Sequence, residues 1–202
     1  MAIQVGGTTV IDNSRVLQNV TGLKTINNTS ILGSGNISAG GFTWSADQSG
    51  FQTLTGIPSG TREIVIVFDG IVGNTNFTYI DMRIGDSGGV ESGGYVSYRS
   101  FWNNNTSAAN LGEGTGTGGI GHWRIGHYLI TGSNTSGVCN LYSDDGRSWY
   151  MNSIFGSMNN NASGFRQNVI TGKKTLSGDL DRIQLFLNSG SYSSGFWKVG
   201  YR

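Results

Sequence analysis

The fold is decided by residues 51–95, which read FQTLTGIPSGTREIVIVFDGIVGNTNFTYIDMRIGDSGGVESGGY. The triplet PSG at residues 58–60 predicts a turn, because proline presets one backbone dihedral and glycine tolerates the other. Residues 63–68 are a short run of β-branched and aromatic residues between turn formers, which is typical of a buried strand. After a predicted loop at residues 70–76, residues 77–84 alternate between apolar and polar side chains. This alternation predicts a half-buried strand with one face in water.

The alternation in residues 77–84 assigns each side chain to a face. The apolar face is expected to carry Ile80, Met82 and Ile84, and the wet face to carry Tyr79, Asp81 and Arg83. A fully apolar strand followed by a two-faced neighbour indicates the beginning of a sandwich or a barrel.

The composition also favours an all-β fold. Glycine accounts for 34 of the 202 residues, whereas about 7% is usual, and we find no long apolar stripe with helical spacing. The net charge of +1 and the lack of a basic run give no indication of a nucleic-acid partner. No apolar stretch approaches the roughly 20 residues that span a bilayer, so membrane insertion is not expected, and the first residues do not resemble a signal peptide.

Nine candidate strands with frequent turn signals favour a two-sheet, jelly-roll-like β-sandwich over residues 41–202. The candidate strands are residues 52–54, 63–68, 77–84, 95–102, 122–130, 138–142, 149–154, 182–187 and 196–201. The triplet DDG at residues 144–146 predicts a hairpin, because Asp-Gly tolerates the positive φ of tight turns. Residues 103–121 and the region around residues 159–161 are predicted to be loops rich in glycine and asparagine.

Residues 1–40 form a separate predicted segment that ends at the SAGG boundary, residues 38–41. Short apolar steps recur through it, but forty such residues bury too little surface to fold alone. We therefore expect three identical chains to wrap around one axis as an intertwined shaft. The alternative is a disordered linker, although regularly spaced Val, Ile and Leu are depleted in such chains.

Enzymatic chemistry is not expected. The pentapeptide GDSGG at residues 85–89 matches the surroundings of a protease nucleophile, but both histidines, His122 and His127, follow it and no cysteine pair exists. The five-residue separation of these histidines would put them on opposite faces of a strand, so no metal site is expected within one chain. The carboxylates show no informative spacing for glycoside hydrolysis. The single Cys139 is predicted to be a buried apolar residue, and no cofactor is expected.

Several segments of the chain resemble bacteriophage tail fibres. Residues 23–37, LKTINNTSILGSGNI, are similar to an element that precedes the C-terminal domain of such fibres, and residues 6–20, GGTTVIDNSRVLQNV, resemble a fibre shaft unit. Residues 51–95 and the closing stretch 187–197, LNSGSYSSGFW, are similar to distal fibre domains. The resemblance implies a homotrimeric virion protein that joins other tail or virion proteins through its N-terminal segment and attaches the phage to its bacterial host.

A receptor-binding tip for a cell-surface glycan such as lipopolysaccharide needs exposed aromatic rings beside amides and hydroxyls. The candidate ligand-binding residues are Tyr98, Trp102, Asn103, Asn104, Trp123, Tyr142, Trp149 and Tyr150. For any one of these aromatic residues, packing in the core or between subunits is the alternative. The alternative for the whole chain is a purely structural virion component, such as a head decoration fibre or a tail adaptor.

Overall fold

The computed structural model describes residues 3–5, 8–11, 41–76, 78–103, 112–126, 129, 131–158 and 165–202. The side chains of residues 3–5, 8–11, 101–103, 112–120, 158 and 165 are not described. The described residues form fifteen strands and no helix. In chain order the strands are β1 (Ile3–Val5), β2 (Thr8–Ile11), β3 (Thr43–Trp44), β4 (Thr53–Thr55), β5 (Glu63–Gly73), β6 (Ile80–Asp86), β7 (Gly89–Val90), β8 (Tyr95–Asn103), β9 (Gly112–Ile120), β10 (Trp123–Arg124), β11 (Asn134–Tyr142), β12 (Ser148–Met158), β13 (Phe165–Thr175), β14 (Arg182–Leu187) and β15 (Tyr192–Tyr201).

The chain divides into two compact units, Met1–Gly41 and Phe42–Arg202. In the first unit, β1 and β2 pair antiparallel as a two-stranded sheet. Residues 12–40, which make up most of the predicted shaft, lie outside the described residues. The trimeric shaft therefore stays a prediction.

The second unit is built from two sheets, which confirms the predicted all-β, sandwich-like fold. The large sheet has eight strands in the order β3-β15-β5-β11-β12-β13-β8-β9. The small sheet has the order β10-β6-β14-β4, and β7 pairs with β6 at the end of a tight turn. Apolar side chains from both sheets form one buried cluster, which includes Ile64, Ile66 and Phe68 of β5 and Ile80 and Met82 of β6.

Several local predictions are confirmed. Strand β14 begins and ends where it was predicted, and Ile183 and Leu185 on it are buried. In the predicted turn at residues 58–60, the amide of Thr61 donates to the carbonyl of Pro58, and Gly60 has a φ of 92°. Cys139 is fully buried and free.

Other predictions are wrong or incomplete. Strand β5 runs on to Gly73, through most of the predicted loop, because it is paired on both sides with β11 and β15. The predicted glycine-rich loop at residues 103–121 contains β9, and β13 was not predicted at all. Within the predicted strand at residues 122–130, only β10 is a strand among the described residues, and His127 and Tyr128 lie outside them.

The prediction that Asp81 faces water is also wrong. Tyr79, Asp81 and Arg83 do lie on the face of β6 opposite the buried Ile80, Met82 and Ile84, but Asp81 is fully buried. Side chains of the neighbouring strands and loops cover its carboxylate. The two-residue period of a strand gives the face of a side chain, but not what covers that face.

Close packing between the sheets requires a glycine on β13. The indole nitrogen of Trp123 donates to the carbonyl of Val96 at 3.1 Å. A Cβ added to Gly172 would lie 2.6 Å from that nitrogen and 2.8 Å from that carbonyl oxygen.

We expect Gly172→Ala to lower the free energy of unfolding by about 1–3 kcal/mol, because the extra methyl group overpacks a filled core. Urea denaturation of the whole chain measures this change. Gly93→Ala is the matched control, because nothing lies within 4 Å of a Cβ there and its φ is not positive. Equal stability of the two variants would contradict the close packing described for Gly172.

Candidate functional site

Among the described residues, large apolar side chains are exposed on the large sheet. The large hydrophobic residues that are exposed among the described ones are Trp44, Tyr98, Tyr142, Tyr150, Ile154 and Val169. All six belong to strands of the large sheet. Because side chains alternate along a strand, each of them is on the solvent face, while their neighbours in sequence, such as Trp149 and Ile170, are buried. Clustered exposed apolar side chains are a mark of an interaction surface.

Two tyrosines form the most distinctive part of this face. Tyr142 of β11 and Tyr150 of β12 are directly opposite each other in the register and are 46% and 49% exposed. They border a groove of about 440 Å³, which is lined by Arg62, Glu63, Tyr142, Ser143, Asp144 and Tyr150. We call this the tyrosine groove. The ammonium group of Lys173, from the adjacent strand β13, lies 5.4 Å from the ring centroid of Tyr150.

Amide side chains continue the same face. Asn140 and Asn152 pair across β11 and β12, two residues from Tyr142 and Tyr150 along each strand. Residues two apart on a strand point to the same side of the sheet. The two amides therefore share the outer face with the tyrosine rings. A polar partner for a hydroxyl-rich ligand is thus present next to the groove.

A network of hydrogen bonds fixes the turn beneath the groove and confirms the hairpin that was predicted at residues 144–146. Oδ1 of Asp145 accepts from the amides of Arg147 at 2.8 Å and Ser148 at 2.6 Å. These hydrogen bonds hold the pKa of Asp145 at about 2. Gly146 takes a φ of 82° and its amide donates to Oγ of Ser143. The exposed Asp144 is the turn carboxylate that lines the groove.

The structure shows some of the predicted ligand-binding side chains exposed and some buried, and leaves the others undescribed. Tyr98, Tyr142 and Tyr150 are exposed on the large sheet, although only the last two line the groove. Trp102 and Asn103 belong to β8, but their side chains are not described. Asn104 lies outside the described residues.

Trp123 and Trp149 were wrongly predicted to be ligand-binding residues. Both are fully buried. The indole nitrogen of Trp149 donates to the carbonyl of Gly146 at 2.9 Å, and the ring of Trp123 packs edge-to-face on Tyr95 with centroids 5.1 Å apart. Their rings are core and their polar atoms are already bonded, so neither can stack on a sugar.

Arg62, Glu63 and Lys173 were not predicted to lie beside the tyrosines. Glu63 reaches Tyr142 through the antiparallel pairing of β5 with β11, and Lys173 reaches Tyr150 through the pairing of β12 with β13. These pairings join residues that are far apart in the chain. The alternation in residues 148–155 could have placed Tyr150 and Trp149 on opposite faces of the strand. No local signal identifies which strands lie next to them.

The GDSGG pentapeptide has a structural role. It connects β6 to β7, and Oδ1 of Asp86 accepts from the amide of Gly88 at 2.8 Å, which closes the turn. The pentapeptide therefore forms a turn after β6. His122 lies beside Asp81, with Nε2 of the histidine 3.2 Å from Oδ2 of the aspartate.

Comparisons with models of protein families, with curated proteins and with solved structures give no match for this chain. Within the part of the chain that the structure describes, no group of three or more His, Cys, Asp or Glu side chains is placed to hold a metal ion. The same residues include no helix of the length and apolarity needed to cross a membrane.

Proposed function

We propose that this protein is a fibre on the surface of a bacteriophage virion and attaches the phage to a bacterial cell-surface glycan through the tyrosine groove. The observation that carries the proposal is the adjacent pair of half-exposed rings, Tyr142 and Tyr150, beside a groove with charged and polar walls. Single exposed hydrophobic residues are common, but two aromatic rings exposed side by side on a sheet favour a binding role.

The groove offers the groups that a pyranose ring needs. Aromatic rings stack on the apolar C–H face of a sugar, and polar side chains at the edges orient its hydroxyl groups. Here the rings come from Tyr142 and Tyr150, and the polar groups from Arg62, Glu63 and Asp144. The groove is built on strands and on a hydrogen-bonded turn, so little conformational entropy is lost on binding.

In a homotrimer, weak binding at each single site would be sufficient for attachment. Three copies per fibre and several fibres per virion raise the effective concentration of sites, so avidity greatly exceeds the affinity of one groove. In this proposal residues 1–40 form the trimeric shaft and contact other tail or virion proteins. No enzymatic step, cofactor, nucleic acid or membrane insertion is part of the proposal.

A purely structural virion component is the second candidate. Ile154 of β12 and Val169 of β13 are opposite each other in the register and both are exposed, and Val138 of β11 lies across from Ile154. This aliphatic row resembles the centre of a protein–protein contact more than a sugar site. It favours packing against another virion protein or another copy of this chain.

Binding of the whole chain to an array of immobilised bacterial lipopolysaccharides and capsular polysaccharides tests the first candidate. We expect Tyr150→Ala to weaken binding about tenfold, because a lost aromatic stacking contact is worth about 1.5 kcal/mol. Tyr98→Ala is the matched control, since Tyr98 is an exposed tyrosine of the same sheet that does not line the groove.

Two results would contradict the glycan proposal. One is a folded wild-type protein that binds nothing on an array containing host glycans, which would favour the structural role. The other is equal loss of binding in Tyr98→Ala and Tyr150→Ala. Thermal melts of the three proteins show that each is folded, and a stability change of less than about 1 kcal/mol is expected for either exposed tyrosine.

A further inference from the structure

The outer face of the small sheet carries a second cluster of chemically distinctive side chains. In the register, Asp81 of β6 lies between Arg124 of β10 and Phe186 of β14. Arg83 of β6 and His122 complete the cluster, as their contacts with Phe186 show. These five side chains have no part in the tyrosine groove, which belongs to the large sheet.

The charges of this cluster do not cancel. Two guanidinium groups, those of Arg83 and Arg124, lie around a single carboxylate, that of Asp81. Burial and the two nearby guanidinium groups lower the pKa of His122, so at pH 7 the histidine is neutral. Among the described side chains of the cluster, there are then two positive charges against one negative charge.

Aromatic rings hold the guanidinium groups in place. Cζ of Arg124 lies 3.7 Å from the ring centroid of Tyr79, and Cζ of Arg83 lies 4.8 Å from that of Phe186. The ring of His122 is nearly perpendicular to that of Phe186, with centroids 5.4 Å apart. A guanidinium group that stacks on a ring keeps its N–H edge for planar, bidentate partners.

Within the described part of the chain, the hydrogen bonds of Arg83 and Arg124 are donated by Nε, the guanidinium nitrogen nearest the backbone. Nε of Arg83 donates to the carbonyl of Gly121 at 2.8 Å, and Nε of Arg124 lies 3.3 Å from Oδ1 of Asp81. The two terminal nitrogen atoms, Nη1 and Nη2, lie farther along each side chain and carry the remaining N–H donors. The Arg124 side chain is 38% exposed, so its outer edge is accessible to solvent.

We propose that Arg83 and Arg124, supported by Tyr79 and Phe186, form a binding site for an oxyanion, either a carboxylate or a phosphate group. The surplus positive charge attracts the anion, and the stacked guanidinium groups supply paired N–H donors that match its oxygen atoms. Asp81 lies beneath the site and partly offsets this attraction. The site is independent of the proposed glycan groove, so either can fail without the other.

Isothermal titration calorimetry of the whole chain with inorganic phosphate and with acetate tests the proposal, and acetamide serves as the uncharged control. We expect saturable binding of at least one of the two anions and none of acetamide. The anion that binds more tightly identifies the source of the oxyanion group as phosphorylated or carboxylated. Saturable binding of neither anion would overturn the proposal.

Charge variants locate the site. We expect Arg83→Gln and Arg124→Gln each to weaken anion binding by about tenfold or more, and Asp81→Asn to strengthen it by about tenfold, because a unit charge a few ångströms away is removed. Arg147→Gln is the control, since this exposed arginine pairs with Asp179 at the hairpin turn. If Arg124→Gln does not fold, Arg83→Gln carries the test, because Arg83 makes no hydrogen bond to the buried carboxylate. Equal losses in Arg83→Gln and Arg147→Gln, or weaker binding in a folded Asp81→Asn, would overturn the assignment.

Discussion

Trp149→Ala is expected to lower the free energy of unfolding by about 3–5 kcal/mol, which is the usual cost of removing a buried large aromatic side chain. The indole of Trp149 is fully buried, and its nitrogen donates to the carbonyl of Gly146 in the hairpin turn. The substitution therefore opens a cavity and also leaves a buried acceptor without its donor. Urea denaturation of the whole chain, followed by circular dichroism, measures the change.

Two matched variants separate the causes of this loss. Trp149→Phe keeps most of the apolar volume but removes the N–H donor, so it is expected to lose less stability, about 1–3 kcal/mol. Tyr150→Ala changes the next residue, whose ring is on the outer face, and should cost less than about 1 kcal/mol. If Trp149→Ala and Tyr150→Ala were equally stable, the assignment of Trp149 to the core would be wrong.

The contrast between Trp149 and Tyr150 shows what the sequence could predict about the candidate site. The hairpin, and hence the closeness of Tyr142 and Tyr150, followed from the Asp-Gly turn signal at residues 144–146. Alternation over residues 149–155 would also have assigned Trp149, Met151 and Phe155 to the same face. That all three are buried depends on the small sheet, which covers this face and whose strands lie far away in the sequence.

The strands that the sequence failed to predict are those that depend most on their neighbours. Strand β13 contains Gly172, Lys173 and Lys174, which are poor strand formers, yet it is paired along its length with β12 and β8. Strand β9 reads GEGTGTGGI and pairs with β8 at the edge of the sheet. Strand propensity depends strongly on cross-strand partners, which a single sequence does not reveal.

The burial of a charged group, Asp81, could not be predicted from the sequence either. The spacing of Asp81 in β6 gave the correct face, but the groups that cover it come from other segments: Arg124 and His122 from the β10 region and Phe186 from β14. Such groups meet only when the strand order of the small sheet is known. The same pairing that hides Asp81 from water assembles the proposed oxyanion site.

The burial of Asp81 has a measurable consequence for stability. Oδ2 is buried, and although Nε2 of His122 is 3.2 Å away, its geometry is not that of a hydrogen bond. Loss of hydration raises the pKa of Asp81 to about 6, against the opposing effects of Arg124 and Arg83. The remaining side chains of the cluster, those of Tyr79 and Phe186, carry no charge. The folded protein therefore holds this proton more tightly than the unfolded chain, in which the carboxyl has its ordinary pKa of 3.8.

The sign of the pH effect follows from this difference. Between about pH 4 and pH 6 the folded state binds more protons at Asp81, so this group adds stability as the pH falls and removes it as the pH rises. The lowered pKa of His122 acts in the opposite direction, because below about pH 6.5 the unfolded chain takes up that proton more readily. The low pKa of Asp145 likewise favours the folded state only at higher pH.

A comparison of the wild type with Asp81→Asn measures the contribution of Asp81 together with its coupling to His122, whose Nε2 lies 3.2 Å away, because the other titrating groups occur in both proteins. We expect the wild type to gain about 2–3 kcal/mol of unfolding free energy relative to the variant as the pH is lowered from 7 to 4, since each pKa unit corresponds to about 1.4 kcal/mol. Urea denaturation at a series of pH values measures this difference. If the attraction of the arginines exceeded the cost of burial, the pKa of Asp81 would be low and the variant would gain relative to the wild type. That opposite slope would show that Asp81 is a stabilising partner of Arg83 and Arg124, and not a buried charge that weakens the fold at neutral pH.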